Sequence, residues 1–340
     1  MPAFLLSTTL RGPTRAAAVL LLLALAACCC PHSLRAAPSP TPPASTISVA
    51  GADGWIFLDK ELRHLRSPKF WADPGGPDVP GDPLPAILDF KQQLDKAGVD
   101  LLVVPVPAKA AIYPEKTPSP AIPGAGATDR EFYKALEARG IKVLDLTDTF
   151  LAARDAVPLY CRQDSHWSPD GIRIAAAEIA GRLRELPRVK AQPKIPMTSQ
   201  VLPLAMTGDL ASPGNPPETL NIRRVSEAGS GQPVPPSKTS PVILLGDSHN
   251  LIFHAGGDMH ATGAGLPDQL ALELGFPVDV VAVRGSGATP ARRNLARRKD
   301  NLAGRQAVVW CFSAREFTEG QGWAKVQVVK NAATPSGPEQ

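Results

Sequence analysis

The chain has 340 residues, 44% of them hydrophobic and 20% charged, and 36 Lys and Arg against 32 Asp and Glu leave a formal net charge of +4. That length and apolar content can bury a sizeable core, in one large domain or two smaller ones, which excludes a disordered chain. So small a net charge, without interleaved aromatic and basic residues, excludes a nucleic-acid partner.

At the N-terminus, Arg11 and Arg15 precede an unbroken apolar run over residues 16–27. The run is too short for a membrane span, which needs about 20 apolar residues, and reads as a secretory signal. Residues 1–37 are therefore expected to be signal and linker, and the rest to work in the periplasm. Leu25-Ala26-Ala27-Cys28 is similar to the lipobox of bacterial lipoproteins, in which Cys28 would be lipidated and anchor the protein to a membrane; cleavage near Ala36-Ala37 is the other reading.

Beyond the signal, Gly51-Ala52-Asp53-Gly54 followed by Trp55-Ile56-Phe57-Leu58 predicts a turn and a short strand. Helical spacing over residues 84–97, stopped by Gly98, leads into the apolar strand 100–106. The pattern repeats as helix 129–139 and strand 141–146. Ser168-Pro169-Asp170 opens a helix running to Leu186, with serine as N-cap and proline in the first turn. The 37 prolines exceed the usual share of roughly 5% and crowd into segments 38–43, 74–85, 187–216 and 233–241, so about 187–240 reads as a Pro-rich insertion. Regular structure resumes with strand 242–245, helix 268–274, strand 278–283, basic helix 291–301 and strand 306–312. Strands alternating with helices predict an α/β fold with a mostly parallel sheet flanked by helices. This domain covers residues 46–318, and 319–340 form a C-terminal tail.

The apolar strand ending in Gly246-Asp247-Ser248 delivers a serine to a sharp turn at the carboxyl end of a strand, where sites form in open α/β sheets. A helix starting just after it would aim backbone N–H groups, that of Ser248 among them, at an oxyanion. Upstream lies Asp164-Ser165-His166, two positions apart. In an extended segment both side chains project to one side, so Asp164 can orient one ring nitrogen of His166 while the other faces Ser248. The three make a candidate serine-type acyl-transfer site. Asp164, His166, His249, His254, Asp258 and His260 are also possible metal donors, but the spacing of His254 and His260 matches no strong metal signature, and no metal or cofactor is expected. The cluster Arg292, Arg293, Arg297, Arg298 and Lys299 reads as a solvated helix face or as a contact for an anionic polysaccharide or lipid headgroup. Cys161 and Cys311 either bridge, tying the His166 loop to the last strand, or remain buried thiols.

Taken in order, Asp53-Gly54-Trp55-Ile56-Phe57-Leu58, Pro105-Val106-Pro107-Ala108-Lys109 with Tyr113-Pro114-Glu115, Asp164-Ser165-His166-Trp167-Ser168-Pro169-Asp170-Gly171, Thr207-Gly208-Asp209-Leu210, Gly246-Asp247-Ser248 and Trp310-Cys311-Phe312-Ser313-Ala314-Arg315-Glu316 resemble the AlgX/AlgJ type of alginate O-acetyltransferase. The resemblance implies an SGNH-hydrolase-like fold with permuted motif order, Asp and His preceding Ser. It also implies a periplasmic enzyme that moves an acetyl group through Ser248 to hydroxyls of an exported polysaccharide. His166 would be the general base and Asp164 its orienting partner. The acetyl donor would be delivered by a membrane-bound O-acyltransferase. Gly285 and Gly287 are candidates for a second oxyanion donor, and Ser313 and Arg315 for substrate contacts. A carbohydrate acetyl-esterase with the same triad and a non-catalytic export scaffold lipoprotein are the competing readings.

Overall fold

The computed structural model describes residues 48–118 and 122–330. The signal segment, Cys28 and the last ten residues lie outside them. The strands are β1 (Ser48–Ala50), β2 (Ile56–Leu58), β3 (Asp100–Val106), β4 (Lys142–Val143), β5 (Met197–Met206), β6 (Glu218–Glu227), β7 (Val242–Gly246), β8 (Asp279–Ala282) and β9 (Ala307–Ser313). The helices are α1 (Asp59–Leu65), α2 (Leu84–Lys96), α3 (Lys109–Ile112), α4 (Ala127–Glu137), α5 (Thr147–Ala153), α6 (Pro169–Leu183), α7 (Pro187–Lys190), α8 (Leu266–Leu274), α9 (Thr289–Ala296) and α10 (Glu316–Glu319).

Strands β3, β7 and β9 have apolar side chains at odd and even positions alike, so both of their faces must be covered. They occupy the middle of a five-stranded, all-parallel sheet with the order β4-β3-β9-β7-β8. Alternate residues feed two separate cores. Leu102, Val104, Val242, Leu244, Val309 and Cys311 face one core with α6 and α8 against them, through residues such as Ile172, Ile179, Leu266 and Leu270. Leu101, Val103, Ile243, Leu245, Val308 and Trp310 face the other, covered by α2, α4 and α9 through residues such as Ile87, Phe90, Phe132 and Leu295. Each fully buried Ile, Leu or Phe contributes roughly 1.5–3 kcal/mol.

Several expectations need correction. The strand predicted over 141–146 forms only Lys142–Val143, because it is the sheet edge and has a single neighbour. The Pro-rich insertion carries regular structure: β5 and β6 pair antiparallel over ten residues, Met197 opposite Glu227 through Met206 opposite Glu218. In a two-stranded ribbon β5 has one edge outside the ladder, so Pro203 can sit in it without breaking a ladder bond. The basic helix ends at Ala296, ahead of Lys299, Asn301 and Leu302, whose φ values are positive. Its cluster is not one solvated face. Arg292 is buried against Phe90, Trp310 and Trp323, and burial pushes its guanidinium down to about 10, whereas Arg298 pairs with Asp279. Cys161 and Cys311 are free buried thiols, not a disulfide; Cys161 Sγ points at the Trp167 carbonyl, and Cys311 lies inside β9. Past residue 318, Val326 and Val328 are buried in the second core, and the Gln93 side chain bonds the backbone of both. No helix among the described residues is long and apolar enough to cross a membrane.

Candidate active site

The register of the parallel sheet ends β3, β9 and β7 side by side at Val106, Ser313 and Gly246. Three segments therefore leave the sheet at one edge: Pro107 to Lys109, Ala314 to Glu316, and Asp247 with Ser248. Gly246 is required where it stands, because a Cβ there would lie 1.7 Å from the Cys311 carbonyl oxygen. Ser248 then opens a single 3-10 turn, Ser248–Asn250, in place of the expected longer helix. The Asp247 carboxylate locks this turn, accepting from His249 N at 2.9 Å, His249 Nδ1 at 3.1 Å and Ser313 N at 2.8 Å. Asn250 Nδ2 ties the turn to β9 through the Cys311 carbonyl at 2.8 Å.

Asp164 and His166 come from the loop before α6. That helix starts where its sequence requires, since Ser168 Oγ accepts from Gly171 N and Pro169 occupies the first turn. The loop is not extended as expected. It bends, with Asp164 Oδ1 accepting from His166 N at 3.0 Å in an Asx turn, and this folds the imidazole back onto its own carboxylate. His166 Nδ1 donates to Asp164 Oδ1 at 2.6 Å, and Ser248 Oγ lies 2.7 Å from His166 Nε2, placed to donate to it. The structure thus brings together the three residues singled out in the sequence. Asp164, His166 and Ser248 are 0%, 4% and 7% exposed.

Two supports were not linked to the Asp164 motif in the sequence, where Asp209 stood only within the motif 207–210 and His260 only among possible metal donors. Asp209, in the turn between β5 and β6, donates its N–H to Asp164 Oδ2 at 3.0 Å, and its carboxylate accepts from Ser165 N and Oγ, both at 2.6 Å. Gly208 lets this turn approach, since a Cβ there would stand 2.1 Å from the Gln163 carbonyl oxygen. His260 Nε2 lies 3.0 Å from Asp164 Oδ2. The spacing of neither residue from the Asp164 motif gave a signal, because both are delivered by distant loops.

Burial alone disfavours charge on Asp164, but His166 beside it and the donors from His260 and Asp209 outweigh this and hold the carboxyl well below its usual range. Burial likewise pushes His166 down, while the charge of Asp164 and its hydrogen bond more than compensate, so the imidazole is raised above the ordinary histidine value. In His249, whose ring centroid is 4.9 Å from that of His166, burial wins over Asp247 and the pKa is lowered. The neutral form is thereby favoured next to His166.

Of the other expected site residues, Gly287 is buried beside Asp247, whereas Gly285 is exposed with no neighbour near its Cβ position. Ser313 donates its backbone N–H to Asp247, and Arg315 Nη1 donates to Ser313 Oγ at 2.8 Å. His254 pairs with Asp268 and Asp258 with Arg284, apart from the triad. Asp164, His166 and Asp209 each offer a donor atom within 4.8 Å of the others, but those atoms are engaged with one another and with Ser165 and His260 as described.

The profile of the SGNH hydrolase-like domain of acetyltransferase AlgX matches residues 49–314. The chain belongs to this family. It is an enzyme of the O-acyltransferase class with an SGNH-hydrolase-like fold. Among curated relatives, the probable alginate O-acetylase AlgJ of Pseudomonas aeruginosa is 26% identical over 282 residues, 78% of this chain and 69% of that protein. The O-acetyltransferase domain of Pseudomonas putida AlgJ superposes with a TM-score of 0.60 at 20% identity, covering 79% of this chain and 91% of that one. Pseudomonas aeruginosa AlgX gives 0.58 at 18% identity, covering 81% and 66%. At these identities the two structures speak to the fold.

Proposed function

We propose that this protein is a periplasmic O-acetyltransferase that passes an acetyl group through a Ser248 acyl-enzyme to hydroxyls of an exported polysaccharide. The observation that carries the reading is the unbroken chain of short contacts from Asp164 through His166 to Ser248. His166 takes the Ser248 proton as Oγ attacks the acetyl carbonyl, then returns it to the leaving group. In the second half, His166 deprotonates a sugar hydroxyl, which attacks the acyl-enzyme and releases Ser248. The amide of Ser248, and that of Gly287 on the adjoining loop, are assigned to the oxyanion.

Transfer rather than hydrolysis is supported by the match of residues 49–314 to the acetyltransferase family. Arg315 supports an anionic acceptor. Its guanidinium holds only the Ser313 hydroxyl and pairs with no carboxylate among the described residues, leaving donors for a sugar carboxylate. Delivery of the acetyl donor by a membrane-bound O-acyltransferase completes the assignment, as the family resemblance implies. In the test, purified protein is incubated with a chromogenic acetyl ester and either oligouronates or neutral oligosaccharides. Mass spectrometry should find acetylated oligouronate; free acetate as the sole product would make the enzyme an esterase.

A pH dependence follows from the same geometry. Only neutral His166 can accept the serine proton, and its raised pKa keeps it protonated over a wider acidic range. The acid limb of kcat/KM should therefore have its midpoint above the ordinary histidine value of about 6.5. A pH–rate profile with the soluble ester reads it directly.

A further inference from the structure

The triad carboxylate has two oxygens, and the mechanism above uses one. Asp164 Oδ1 receives both the Nδ1–H and the backbone N–H of His166, whereas Oδ2 receives Asp209 N and faces His260 Nε2 at 3.0 Å. We propose that His260 is a positioning residue, donating from Nε2 to Asp164 Oδ2 and so setting the orientation and basicity of His166. This deepens the acyl-transfer reading of Ser248, His166 and Asp164 and rests on it.

His260 is placed for this by the segment that follows the nucleophile. After Ser248–Asn250, Phe253 donates its N–H to the Met259 carbonyl and Gly256 to that of Ala261, which folds residues 253–261 into a tight loop. Phe253 and His260 both hold positive φ, +58° and +67°, a conformation unfavourable for bulky side chains. The two rings lie 6.0 Å apart. A loop that only needed to turn could place glycine there, as it does at Gly256 and Gly257. The strained histidine reaches back to Asp164, closing a ring of contacts from Ser248 along its own loop to His260, then Asp164, His166 and Ser248 again.

The charged and titratable groups around this pair come from every neighbouring element. They are Asp209 from the β5–β6 turn, Glu218 from β6, Lys109 from α3, Cys161 from the Asp164 loop, Asp247 and His249 from the nucleophile turn and Arg315 after β9. Asp258, on the His260 loop, is paired with Arg284. Against that fixed background, removing the His260 donor leaves more negative charge on Asp164 facing His166, and the imidazole holds its proton more tightly.

The experiment titrates the histidine side chains by NMR, with His166 assigned through the signal lost in His166→Gln, and follows acetyl transfer against pH. His260→Phe keeps a ring against Phe253 but has no N–H, and should bind a proton at His166 about tenfold more tightly, one unit upward. Its acid limb should move with it, and kcat should fall about tenfold with acceptor KM within twofold of wild type. His260→Gln restores an N–H donor and should titrate as wild type does. A His166 titration that is the same in His260→Phe and wild type overturns the proposal even in a fully active enzyme. Absence of serine-dependent transfer in the wild type would instead count against the triad reading, which the titration does not use.

Discussion

Replacing Ser248 by alanine is expected to lower kcat for acetyl transfer by about 10⁴-fold or more, with stability nearly unchanged. The hydroxyl is small, its one assigned partner is His166 Nε2, and the turn that carries it is locked by Asp247 and Asn250. Loss of Oγ therefore removes the proposed attacking atom without loosening the strand end. His166→Ala should cost a comparable factor, since an unactivated serine is a poor nucleophile. The combined variant should be no slower than the worse of the two, because nucleophile and base act as one unit. Single-turnover acetylation measured by mass spectrometry, beside urea unfolding of each variant, separates the cases. Additive losses, or transfer that survives Ser248→Ala, would place the nucleophile elsewhere.

The sheet was readable because its central strands are buried on both faces and so spell continuous apolar runs: the expected strand 100–106 matches β3 residue for residue. Periodicity says less at an edge, which is why β4 came out two residues long. The β5–β6 ribbon was hidden for another reason: its outward residues are polar or exposed, Val201 among them, and Pro203 together with Pro213, Pro216 and Pro217 of the connecting turn mimics a loop. That ribbon matters to the site, since its turn brings Asp209 to Asp164. Ser248 and His166 stood out because each lies at an element boundary in a chemically suggestive motif. Asp209 and His260 did not, since what brings them to Asp164 is the path of two loops and not any local spacing. The chemical identity of the triad is local in sequence; its electrostatic environment is not.

Lys109 shows the same division, and changing it to methionine should damage stability and catalysis together. The residue opens α3 just past the end of β3, and its ammonium is buried between Trp55 and Phe57 at 5.4 and 5.2 Å from the ring centroids. Its Nζ lies 2.6, 2.9, 3.1 and 3.0 Å from the carbonyl oxygens of Ile56, Cys161, Arg162 and Asp164, which share its three N–H donors, so one cation fastens β2 and the Asp164 loop to the sheet edge. Burial lowers its pKa, while nearby Glu61 favours the charged form. Methionine fills much of the stem's volume but supplies no donor, leaving these carbonyls without their ammonium partner in a dry site. The expected cost is about 3–5 kcal/mol in urea unfolding. Because Asp164 belongs to the freed loop, kcat should fall about 100-fold with acceptor KM little changed, as a misplacement near 1 Å can cause. Ser248→Ala removes the chemistry and spares the fold, whereas Lys109→Met should leave every reacting atom present and out of place. If Lys109→Met kept full activity despite lost stability, the loop would be held well enough by Asp209, His260 and the Glu218 carboxylate that accepts from Arg162 N and Gln163 N, and the ammonium would serve only the fold.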